Sequence, residues 1–129
     1  MIAPVNTRLH DLIPQYEAWR NERRPLGRDV KRRTMVAYKH CLNSFATYLR
    51  RAPTVADLTP QAVNAWLAAM LEAGMSPRTV HSRRIGVGTI WRFAFRRGLT
   101  TERADDVRPV FLPALRPQGY SAEQAALLL

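Results

Sequence analysis

A single cysteine, Cys41, stands in 129 residues, which excludes an internal disulfide and a cysteine-built zinc site. The three histidines, His10, His40 and His81, share no metal-ligand spacing, so no metal and no other cofactor is expected. Carboxylates are scarce too. Ten Asp and Glu face 20 Lys and Arg, and Asp11, Glu17, Asp57 and Glu72 form no paired set that would argue for hydrolysis. No apolar run approaches the roughly 20 residues of a membrane span. The opening MIAPVNTRLHDL lacks the charged-then-apolar layout of a signal peptide. A cytoplasmic protein with no membrane partner is therefore expected. There is no internal repeat and no low-complexity segment.

Apolar residues make up 47% of the chain, enough for one globular domain with a core, and the length does not allow two full ones. The net charge is +10, and 18 of the 20 basic residues are arginine, the side chain that pairs bidentately with phosphate and guanine. The charge is also partitioned. Residues 20 to 40 hold eight basic and two acidic residues, and residues 76 to 98 hold six arginines and no acid. Between them, Thr54 to Met75 carries two acids and no base. A basic surface without a partner more often mixes its signs, so an anionic partner is expected.

Ser76 to Gly98 is the organising stretch. Ser76 is an N-cap, Pro77 takes the first helical position, and Arg96-Arg97-Gly98 is a C-terminal signature. Val80, Val87, Ile90, Trp91, Ala94 and Phe95 recur at helical steps as its apolar side, opposite Arg78, His81, Ser82, Arg83 and Arg92. Upstream, residues 1 to 10 read as a loose tail. Asp11 caps a first helix with Pro14 in its first turn, where proline avoids the ~3 kcal/mol cost of an interior position. That helix carries Tyr16 and Trp19 and breaks at Pro25 and Gly27. A second helix, Lys31 to Arg51, aligns Met35, Tyr38, Leu42, Phe45 and Leu49. Its first turn places Lys31, Arg32 and Arg33 against the helix dipole, each costing a few tenths of a kcal/mol. A third helix, Pro60 to Ala73, buries Val63, Trp66, Leu67, Met70 and Leu71. Gly86 and Gly88 cost roughly 1 kcal/mol each in a helix interior, and close approach of a neighbouring helix is the expected reason. Trp66, Trp91, Phe45, Phe93, Phe95 and Cys41 read as core. After Gly98, prolines 109, 113 and 117 mark an extended linker, and Ser121 opens a short run, SAEQAALLL.

Taken in order, these pieces resemble the N-terminal core-binding, SAM-like domain of tyrosine recombinases of the phage-integrase type. The second helix carries Thr34, Tyr38, Leu42 and Phe45 in the family's T-x-x-x-Y-x-x-x-L-x-x-F pattern. The connector Asp57 to Pro60 reads D-L-T-P, and the fourth helix opens S-P-R-T-V at Ser76 and runs through Arg83-Arg84 to Trp91, Phe93, Phe95 and Gly98. Ser121, Glu123, Leu127 and Leu128 match the opening of the family's next helix. Two departures stand out. Ala104, Asp105 and Asp106 occupy the place of an Asn-Pro, and Arg84 that of an aliphatic residue.

The resemblance implies an all-α fold, a four-helix orthogonal bundle followed by an extended linker and a C-terminal helical stub. It implies a tail at 1–10, a core-binding domain at 11–98, a linker at 99–119 and the start of a catalytic domain at 120–129. It further implies double-stranded DNA as partner, with other recombinase protomers in the full-length protein and a monomeric fragment when free. The DNA-contacting residues it nominates are Lys31, Arg32, Arg33, Thr34, Tyr38 and Lys39, with Ser76, Arg78, Thr79, His81, Ser82 and Arg83. The recombinase chemistry is expected beyond residue 129, so this chain is expected to have no catalytic residues. Two rivals remain open: a non-catalytic integrase-like DNA-binding regulator, and a basic helical RNA-binding or protein-interaction module.

Overall fold

Two helices start by the same device. Thr59 and Ser76 each precede a proline, and each side-chain oxygen accepts the backbone N–H three residues on, from Ala62 at 3.1 Å and from Thr79 at 3.2 Å. Proline in the first turn gives up an N–H that had no helical partner. The structure is a computed structural model that describes residues 6–113. Within them α1 spans Leu12–Asn21, α2 Arg32–Leu49, α3 Pro60–Glu72 and α4 Pro77–Arg96. Short 3₁₀ turns at Leu9–Asp11, Val55–Asp57 and Ala104–Asp106 complete an all-α arrangement of the described residues. The SAEQAALLL run, and residues 1–5 of the tail, lie outside the described residues.

The core is assembled from the expected stripes. Met35, Leu42 and Phe45 of α2, Val63, Trp66, Leu67 and Met70 of α3, and Val80, Val87, Ile90, Trp91 and Ala94 of α4 are buried. Tyr38 and Leu49 are partly buried at its edge. α2 packs most extensively on α4. Tyr38 and Cys41 of α2 meet Gly86 of α4, the Cys41 thiol lies 3.9 Å from Ser82 O, and Ser44 Oγ accepts from Arg83. Residue numbers rise along one helix as they fall along the other, so the two run in opposite senses. A Cβ at Gly86 would stand 2.9 Å from Cys41 Cβ, with the sulfur closer still. Close helix approach thus accounts for Gly86. It does not account for Gly88, where a Cβ would meet only the end of the Arg92 side chain, at 3.6 Å.

Several expectations are corrected. Asp11 does not cap α1; it sits in the α region at the end of a 3₁₀ turn that runs straight into the helix, with no side-chain cap bond. The last residues of the expected tail are tied down. Leu9 is buried and its N–H donates to Pro53 O at 3.0 Å, while Thr7 O accepts from Val55 N–H at 2.8 Å. In α3, Leu71 is 41% exposed because the neighbouring helices cover only the Val63–Trp66–Leu67–Met70 side. In α4, Phe95 is 39% exposed and Phe93 only 3%, since α1 closes over Phe93 through Tyr16 and Trp19. The stretch after Gly98 is no free linker up to Val110. Trp91 Nε1–H donates to Glu102 O at 2.9 Å, Val107 is buried, and Arg108 N–H donates to Asn64 Oδ1 at 2.8 Å.

The D-L-T-P connector has a physical cause in Asp57. α2 ends through Arg50 at φ 61°, after which the Arg51 guanidinium reaches both Asp57 carboxylate oxygens, Nη1 to Oδ2 at 2.6 Å. Thr54 N–H donates to the same Oδ2 at 2.8 Å, forming a capping box for the 3₁₀ turn. Burial pushes the Asp57 carboxyl pKa up, but Arg51 and the Thr54 N–H outweigh it and leave the group below its ordinary value.

Gly86→Ala is expected to destabilise the domain by about 1–3 kcal/mol through overpacking against Cys41. Gly88→Ala is expected to stabilise it, by up to about 1 kcal/mol of helix propensity. Thermal melts of both variants check the pair, and equal signs would contradict the packing described. Because the folded Asp57 carboxyl holds its proton less readily than the unfolded one, its contribution is complete above the unfolded pKa of about 3.9. It is lost as pH falls through the lower folded value. Asp57→Asn should flatten that acid limb in pH-dependent denaturant titrations and cost about 2 kcal/mol near neutrality.

Candidate nucleic-acid interface

At the start of α2, Lys31 is the N-cap residue with extended backbone, and its side chain makes no cap bond. Lys31, Arg32 and Arg33 are exposed, and among the described residues none of them is in an ion pair. Three cations therefore crowd an N-terminus whose own partial charge is positive, which raises local potential for an anion. Thr34 is half-buried one residue further, and Lys39 is exposed on the next turn.

At the start of α4, Ser76 Oγ is held by its cap bond and a 2.9 Å bond to Thr79 Oγ1, with both residues exposed. Arg78 and Ser82 are exposed, and Arg78 is in no ion pair among the described residues. His81 is half-buried. Arg83 is half-buried and turned to the fold: its Nη1 donates to Ser44 Oγ at 3.0 Å and lies 3.3 Å from Met75 Sδ and 3.7 Å from Met70 Sδ. Tyr38 is likewise drawn inward, its ring edge-on to Tyr16 at 5.6 Å. Burial and then the Tyr38 neighbour raise the Tyr16 phenol pKa.

The structure does not gather these residues into one patch. With α2 and α4 opposed, Ser82 sits beside Cys41, and Lys31 lies ten residues before Cys41, on the order of 15 Å along the helix. Lys39 stands between the two groups. The arrangement is a pair of basic helix starts spaced along one packed pair, which suits separated contacts on an extended polyanion better than a pocket for a small one. Among the described residues no three His, Cys, Asp or Glu come together as a metal cluster, and no helix is long and apolar enough to cross a membrane.

Sequence reasoning missed a second basic concentration, where α1 ends and α4 ends. Arg23 stacks over Trp19 at 4.4 Å, Arg96 over Trp19 at 5.1 Å and Arg103 over Phe95 at 5.3 Å. The W-x-x-x-R spacing of Trp19 and Arg23 is the one available signal; local pattern marks Arg96 and Arg97 only as helix-terminal cations. Arg84 also has an unforeseen task. Its Nε donates to Arg108 O at 2.9 Å and its Nη2 to Val107 O at 3.0 Å, so a guanidinium where an aliphatic side chain was expected pins the returning chain.

Comparison with known proteins returned one family. Residues 26–98, more than half of the chain, match the family described as phage integrase, N-terminal SAM-like domain. No curated protein and no solved structure gave a match.

Arg83 and Arg78 are expected to separate in stability measurements. Arg83→Ala removes a packed stem and its hydrogen bond to Ser44 and should cost about 1 kcal/mol, whereas Arg78→Ala should stay within about 0.5 kcal/mol of the unmodified chain. Denaturant midpoints at constant slope read the difference.

Proposed function

Because the chain belongs to the phage integrase N-terminal SAM-like domain family, matched over residues 26–98, we propose that it binds double-stranded DNA as the N-terminal domain of a site-specific tyrosine recombinase. It recognises an arm of the recombination site, and in the full-length protein it works beside other protomers in a cytoplasmic setting. The observation that carries this reading is the set of exposed cations free of ion pairs at two helix starts: Lys31, Arg32 and Arg33 on α2 and Arg78 on α4. These residues position the domain on phosphates. Thr34, Lys39, Ser76, Thr79 and Ser82 supply further polar contacts, with base edges read from the α4 side. Tyr38 and Arg83 act chiefly by holding the two helices in register, and half-buried His81 adds a polar contact from α4. The DNA-binding unit extends from Thr7 to Val110, since both flanks are hydrogen-bonded to it. Bond cleavage and rejoining are assigned to a separate catalytic domain.

Fluorescence-anisotropy titration of the 129-residue chain against duplex DNA and duplex RNA, across a salt series, tests the proposal. DNA affinity should fall steeply with salt and exceed RNA affinity. Arg32→Ala with Arg33→Ala should lower the salt slope by about one unit for each phosphate left without its cation. Arg78→Ala should act in the same direction. Unchanged duplex affinity in both variants would show the wrong face had been chosen, and preference for RNA would favour the RNA-binding alternative.

A further inference from the structure

At the α1 and α4 C-terminal end lies a cavity of about 670 Å³ that none of the twelve nominated residues explains, although Tyr38 borders it. Trp19 and Phe95 present aromatic surface to it, and Arg20, Arg92, Arg96 and Arg103 line it. The single carboxylate on the lining is Asp105, which Arg103 holds at 3.2 Å. Arg20, Arg92 and Arg96 are in no ion pair among the described residues. Behind the opening, buried Tyr16 and Phe93 brace the rings, with Trp19 and Phe93 centroids 5.6 Å apart.

Each component narrows the ligand. Several guanidiniums around one concavity repel one another, and an anion relieves that repulsion. Bare phosphate would need no aromatic wall, yet Trp19 lies half-buried against the guanidiniums of Arg23 and Arg96, and exposed Phe95 lies beside that of Arg103. Planar aromatic and guanidinium faces beside cations accept a stacked base with its phosphate alongside. The volume is that of a small-ligand site, large enough for a nucleotide or a short strand and too small for a duplex. An acidic peptide would satisfy the cations but would make no use of the ring faces.

We propose that the cavity walled by Trp19, Phe95, Arg20, Arg92, Arg96 and Arg103 binds a short single-stranded nucleic-acid segment, with bases stacked on the aromatic–guanidinium surface and phosphates on Arg92 and Arg96. Trp19 makes the site observable, because Trp66 and Trp91 are each only 1% exposed. The 129-residue chain is titrated with short oligothymidylate, blunt duplex DNA and polyglutamate, following tryptophan emission. Oligothymidylate should quench the emission saturably, and Arg92→Ala with Arg96→Ala should weaken that binding by about tenfold or more. Trp19→Phe should abolish the quenching, with the helical circular dichroism retained. Duplex anisotropy should be unaffected by these changes, so failure here and failure of the duplex-binding proposal are read separately. Absence of quenching in the unmodified chain overturns the inference whatever the variants do. Equal quenching by duplex removes the single-strand assignment, and equal quenching by polyglutamate reduces the site to charge and overturns it.

Discussion

The approach of α4 to α2 at Gly86 and Cys41 is the constraint from which the rest of the arrangement follows. With no side chain at Gly86, the helices come close enough for Cys41 to fill the space a Cβ would have taken, with Tyr38 alongside at 3.8 Å. That approach fixes the register along the pair. On one side of the crossing it puts Arg83 within reach of Ser44, Met70 and Met75. On the other it brings Phe93 under Tyr16 and Trp19 of α1. A wider separation would loosen both groups together, because each depends on where along α4 its residue meets its neighbour.

The same register sorts the arginines by task. Arg51 is committed to Asp57, Arg84 to the backbone at Val107 and Arg108, and Arg83 to the groove beside α3. Arg23, Arg96 and Arg103 lie over aromatic rings. The arginines held by an acid, a backbone oxygen or a hydroxyl are fixed in place, whereas those over rings keep their charge available beside an aromatic face. Lys31, Arg32, Arg33 and Arg78 stand at helix starts, where potential is focused rather than spread.

Much of the fold was legible locally. Thr59-Pro60 and Ser76-Pro77 announce their helices because the capping oxygen and the N–H it accepts are three residues apart, well inside a reading window. The Met35–Leu42–Phe45 and Val80–Val87–Ile90 stripes follow from periodicity. Periodicity gives the direction a side chain points but not how far the neighbouring element extends, and that decided Phe95 and Leu71. The Asp11 cap and the loose tail failed for another reason: Leu9 and Thr7 find their partners at Pro53 and Val55, more than forty residues away. Of the candidate site, the basic helix starts could be read from residue type and spacing. The inward turn of Arg83 and the aromatic–arginine cavity depend on side chains from three or four elements meeting, which no one stretch announces.

The pinning of residues 99 to 110 changes the mechanics of this stretch. Twelve extended residues would reach up to about 40 Å and sweep a wide volume. Hydrogen-bonded to Trp91, Arg84 and Asn64, they contribute almost none of that reach. Val107 and Arg108 are therefore held at a fixed point beside α3 and α4. A group attached at that point would sample a smaller cone than one on a free chain, which would raise its effective concentration on that side of the domain and lower it on every other.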